Sequence, residues 1–120
     1  MSHIVTIHSR LRDPAAITAA CKRLGLSAPV QGTARLYSGQ ASGLLVQLKG
    51  WRYPVVVQMD TGEARFDNYH GHWGQQSEFD RFLQAYAVEL AKAQARTKGY
   101  QVSEQALQDG SIKLQILEGS

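Results

Sequence analysis

The sequence predicts an α+β protein, a two-layer sandwich in which two helices lie against a mostly antiparallel sheet of about five to seven strands. Three observations lead there. A 3.6-residue apolar period runs from Gln76 to Lys98, a shorter one follows Asp13-Pro14, and β-branched runs between turn signals fill much of the rest. The expected order is β-α-β-β-β-β-α-β-β, in one domain over residues 1–120.

The long helix dominates. Phe79, Phe82, Leu83, Tyr86, Ala87 and Leu90 recur at i, i+3, i+4, i+7, i+8 and i+11 and draw one apolar stripe. Ser77 is the expected N-cap, because its hydroxyl can accept from a free amide of the first turn. Glu78 and Asp80 suit the positive end of the helix dipole, and Lys92, Arg96 and Lys98 the negative end. Gly99 ends it.

Taken in order, Ile4 to Ile7 reads as part of a buried strand from about His3 to Ser9. Asp13 caps and Pro14 opens a helix whose stripe is Ile17, Ala20, Cys21 and Leu24, with Gly25 as its stop. From Leu26 to Gly43 the pattern weakens, and only a short strand at about Ala34–Tyr37 is expected. Leu44–Leu48 and Val55–Met59 are apolar strands on either side of a Lys49-Gly50 turn, with Pro54 at a strand start. Asp60-Thr61-Gly62-Glu63 is a hairpin turn and Ala64–Tyr69 the return strand. Beyond the long helix, Tyr100–Leu107 reads as a strand with a bulge or bend. Asp109-Gly110 is a two-residue hairpin signal, and Ile112, Leu114 and Ile116 share one face of a last strand. Glu118-Gly119-Ser120 is expected to fray.

Composition bounds the function without choosing it. The chain is 43% hydrophobic and 19% charged, ordinary for a globular protein, and its net charge of +3 permits an acidic or nucleic-acid partner without requiring one. Cys21 is the lone cysteine, so no internal disulfide can form and a reducing compartment is expected. No apolar run is long enough for a membrane span, and Met1–Val5 lacks the basic-then-apolar pattern of a leader. Cytoplasm or a similar reducing space is the expected location.

Few residues form a chemical set. Asp60-Thr61-Gly62 has the letters of an aspartic protease motif, but that chemistry needs a second carboxylate, and a turn explains all three residues. His70 and His72 are candidate metal ligands that Asp67, His3 or His8 would have to complete. Gly39, Gly43 and Gly50 match neither the Walker spacing nor GxGxxG. No cofactor and no catalytic residues are expected. Trp51, Arg52, Tyr53, Tyr69 and Trp73 are residue types that interfaces enrich, and they make the expected partner-binding set. Arg65, Lys92, Arg96 and Lys98 are the candidate contacts for the alternative, a nucleic acid.

Met1-Ser2-His3, Phe66-Asp67-Asn68-Tyr69 leading through Trp73-Gly74 into the long helix, Ala91-Lys92-Ala93-Gln94-Ala95-Arg96-Thr97-Lys98-Gly99-Tyr100, and Asp109-Gly110-Ser111-Ile112-Lys113-Leu114 together resemble the hypothetical chloroplast reading frame thirty-five family. That is a family of unknown function from cyanobacteria, chloroplast genomes and other bacteria. The resemblance covers most of the chain and is weakest between Leu26 and Gly43. It implies a compact standalone domain and, through gene neighbourhood in some bacteria, an AAA-type ATPase as partner. It carries over no activity and no catalytic residues. The function favoured by the sequence is a non-enzymatic adaptor or accessory domain that binds a protein. A weak RNA- or DNA-binding module is the alternative, and a small metal-dependent enzyme at His70 and His72 the third reading.

Overall fold

A computed structural model of the chain describes residues 5–7 and 10–117. The outer residues of the expected first strand, the possible ligands His3 and His8, the Met1-Ser2-His3 start and the expected fraying at Glu118–Ser120 lie outside the described residues.

Among the described residues, two helices and seven strands follow the expected order. They are β1 (Val5–Ile7), α1 (Pro14–Arg23), β2 (Val30–Leu36), β3 (Gly39–Val46), β4 (Val55–Gln58), β5 (Glu63–Phe66), α2 (Gln76–Thr97), β6 (Gln101–Ala106) and β7 (Ile112–Leu117). β2 to β5 form an antiparallel meander and β1 joins it beside β5, giving the order β1-β5-β4-β3-β2. β6 and β7 pair only with each other. The strands therefore divide between two sheets, where the sequence suggests one. The fold is α+β with antiparallel pairing throughout.

α1 starts as expected: the Asp13 carboxylate accepts from the Ala16 amide at 3.1 Å and Pro14 follows. Ile17, Ala20 and Cys21 are buried, and burial pushes the Cys21 thiol up, as suits a packing residue. α2 departs from the sequence reading at its start. Its N-cap is Gln75 with no side-chain bond, not Ser77, because the Trp51 indole N–H holds the Gln75 carbonyl at 3.0 Å and fixes where the helix begins. Phe79, Phe82, Ala85, Tyr86 and Val88 are buried while Ala87 is exposed. α2 packs on α1 as well as on the sheet, so its buried arc turns toward Ala85 and Val88. No helix among the described residues is long and apolar enough to cross a membrane.

The helices cover one face of the meander, where Val46, Val55, Val57, Ala64 and Phe66 meet Ile17, Phe79 and Phe82. The other face is covered by the segment whose sequence pattern is weakest. β2 and β3 pair over seven residue pairs, but β3 pairs with β4 only through Leu44, Leu45 and Val46. Were β3 straight, its registers would place Ser38 ~30 Å along the strand axis from Asp67. Instead the Ser38 hydroxyl donates to the Asp67 carboxylate at 3.4 Å, and Ala34, Leu36 and Ala41 pack with Val56 and Tyr53. The hairpin therefore folds back over the sheet. It bends at the Gly32–Gly43 pair, and a Cβ on Gly43 would stand 2.4 Å from the Val57 carbonyl oxygen.

β6 is regular and carries no bulge, and its turn has three residues instead of two. Beyond the Ala106–Ile112 pair the Leu107 amide donates to the Ser111 carbonyl at 2.9 Å, the Gly110 amide donates to the Leu107 carbonyl at 3.1 Å, and Gly110 takes φ +88. Ile112 and Leu114 are half-buried as expected, while Ile116 is 47% exposed. The hairpin is tied to both helices by Glu104, which accepts from Arg23 of α1 and Lys92 of α2, each at 2.6 Å. Hydrogen bonds from Arg23 and then Lys92 hold the Glu104 carboxyl down at about 2.

A lowered carboxyl stabilises the folded state fully above its ordinary value of 4.5, and that contribution is lost as pH falls through about 2. The clamp is solvent-screened and so contributes about 1 kcal/mol. The Val102 and Ile116 amides are expected to report hairpin release between these two pH values, and Glu104→Gln to show the released shifts already at neutral pH. Superimposable acid titrations of the two proteins would remove the clamp.

Candidate functional site

The site is a loop wound around Asn68. β5 ends at Phe66, and Asp67 and Asn68 remain buried. The Asn68 carbonyl accepts from the Gly71 and Trp73 amides at 3.0 Å, and its side-chain amide donates to the Gly74 carbonyl at 3.2 Å. Within this frame Tyr69 and His70 take φ +46 and +54, a left-handed conformation that non-glycine residues adopt only when their surroundings hold them there. The expected strand to Tyr69 thus gives way to a tight turn over Tyr69–Gly71.

That turn delivers Trp73 to the centre of an aromatic cluster. The Tyr69 ring stacks on it at 4.8 Å, Tyr37 lies at 5.1 Å, and Tyr53 meets it edge-on at 5.6 Å. The Arg52 guanidinium carbon lies 5.1 Å from the Trp73 ring and 5.5 Å from the Tyr53 ring. The Arg52 amide donates to the Trp73 carbonyl at 2.8 Å, which fixes the base of that side chain. Arg52 and Tyr37 are exposed, and Tyr53, Tyr69 and Trp73 are half-buried.

Four of the five residues expected to bind a partner therefore meet, and one does not. Trp51 is only 5% exposed and packs edge-on against Phe66 at 5.2 Å. It enters the core because Gly74 leaves room for it: a Cβ there would lie 2.4 Å from the indole. Trp51 is thus the floor under the site, not part of its surface. Tyr37 is the residue that the sequence reading missed. Its place depends on the bend at Gly32–Gly43, and no local pattern announces a contact with Trp73.

His70 and His72 are exposed, with ring centroids 6.1 and 5.0 Å from that of Tyr69. Among the described residues no three of His, Cys, Asp and Glu converge as metal ligands. Asp67 is buried beneath the hairpin arm, with one oxygen on Ser38 and the other unpartnered. Asp60 accepts from the Thr61 amide at 3.0 Å inside its turn, and Gly62 there takes φ +79.

The proposed nucleic-acid contacts are dispersed. Arg65 pairs opposite Val56 and shares its sheet face, away from the helices. Lys92 is taken by Glu89 and Glu104, while Arg96 and Lys98 are exposed at the far end of α2. These four residues form no continuous basic track.

No protein-family model, curated protein or solved structure matches the chain.

Proposed function

We propose that this protein is a non-enzymatic adaptor that binds a protein partner through Tyr37, Arg52, Tyr53, Tyr69 and Trp73. One observation carries the reading: three tyrosines and an arginine converge on a half-buried tryptophan, within 5.6 Å, on a loop held in strained conformation. Trp, Tyr and Arg are the residues that carry most binding energy at interfaces, and a pre-ordered loop lowers the entropy lost on association. The resemblance to the hypothetical chloroplast reading frame thirty-five family supports an AAA-type ATPase as the partner. The lone, buried Cys21 fits a reducing compartment, cytoplasm or stroma.

The test is recovery of bound proteins from the host's lysate, with and without nuclease, on wild-type and Trp73→Ala bait. A stoichiometric protein that resists nuclease and falls at least about tenfold with Trp73→Ala is the expected result. Equal recovery by a folded Trp73→Ala bait would end the adaptor reading at this site. Recovery lost only with nuclease would replace it with nucleic-acid binding.

A further inference from the structure

We infer that the partner group received beside Trp73 is a carboxylate, an acidic side chain of a protein held by Arg52. This rests on the partner-binding reading above and adds the chemistry of what binds.

Arg23, Arg81 and Lys92 each spend their charge on a glutamate, but Arg52 makes no ion pair among the described residues. The sequence explains why. No Asp or Glu occurs between Gln47 and Met59, and none between Asn68 and Ser77, so the two segments that build the cluster bring no counter-charge. Asp67, which directly precedes the Asn68–Ser77 segment, is fully buried and takes the Ser38 hydroxyl. The exposed surface here carries the Arg52 guanidinium over the Tyr53 and Trp73 rings, and exposed His70 and His72 lie against Tyr69, which stacks on Trp73.

A guanidinium that rests on ring faces has its N–H edge left to bind, and that planar fork matches the two oxygens of a carboxylate. The rings also keep water from one side of the ion pair, which strengthens it. A nucleic-acid backbone would ask for several cations in a row, and Arg65, Lys92, Arg96 and Lys98 do not supply them here. One fixed arginine on an aromatic platform suits one acidic side chain with apolar neighbours.

Nitrogen-15-labelled protein titrated with a short polyglutamate peptide tests this directly, with polylysine and oligothymidylate as comparison probes. The indole N–H of Trp73 and the Arg52 side-chain N–H are expected to shift with polyglutamate, while the indole N–H of buried Trp51 stays. Arg52→Gln is expected to weaken polyglutamate binding at least about tenfold, and Arg52→Lys to restore it only in part. No shift at Trp73, equal binding by Arg52→Gln, or stronger shifts of the same signals with oligothymidylate or polylysine would each overturn the inference. The two readings fail separately: partner recovery that survives Arg52→Gln but not Trp73→Ala removes the carboxylate and leaves the adaptor, whereas recovery that survives Trp73→Ala removes the adaptor.

Discussion

Trp51→Ala is expected to cost about 4 kcal/mol of folding stability, whereas Trp73→Ala is expected to cost about 1 kcal/mol or less. The two tryptophans look alike in the sequence, each beside basic or aromatic neighbours, but the chain uses them oppositely. Trp51 fills a slot between Phe66, Phe79 and the backbone of Gly74, and its indole N–H anchors the start of α2. Removing it leaves a cavity and an unheld helix end. Trp73 lies above that layer, half-buried among tyrosines that can partly close over a gap. Urea unfolding of both variants measures the difference. Equal losses would mean that the cluster around Trp73 is core, which would take away the basis for a binding surface there.

Gly43→Ala is expected to destabilise the protein by about 3 kcal/mol. Its Cβ would stand 2.4 Å from a backbone oxygen, that of Val57, and a strand paired on both sides has no slack to move away. Gly32, paired with it across the hairpin, makes the control. A Cβ at Gly32 would touch only the end of the Leu45 side chain at 3.6 Å, so Gly32→Ala should stay within about 1 kcal/mol of wild type. Gly43→Ala is also expected to loosen the hairpin arm, seen as loss of the Tyr37 ring-current shift on Trp73. Similar stabilities for the two alanine variants would show that the close approach at Gly43 is not needed.

Where one residue's neighbours in sequence are also its physical partners, the structure was legible. Asp13-Pro14 caps α1, Gly25 and Gly99 take positive φ at helix ends, and the α2 register followed from Phe79, Phe82 and Tyr86. The run Val55-Val56-Val57 reads as buried on both faces and is. Legibility failed where a contact crosses the fold. Ser77 has the right chemistry for a cap, but Trp51 pins the chain two residues earlier. Leu26–Gly43 lacked a clear period because β2 and β3 change surroundings partway, from sheet edge to cover. The candidate site was half legible for the same reason. Arg52, Tyr53, Tyr69 and Trp73 were readable as interface types, while the burial of Trp51 and the arrival of Tyr37 each depend on a distant glycine.

The bend in the β2–β3 hairpin also bears on how copies of the chain behave at high concentration. β2 is the outermost strand of the meander, and its first residue, Val30, is apolar and 61% exposed. A flat strand of that kind is a template on which another molecule can add its own strand, the first step of aggregation. Curling the arm over the sheet at Gly32 and Gly43 breaks that edge into two short pieces that point in different directions. The fold that covers Val56 therefore also denies a neighbouring molecule a long, straight edge to copy.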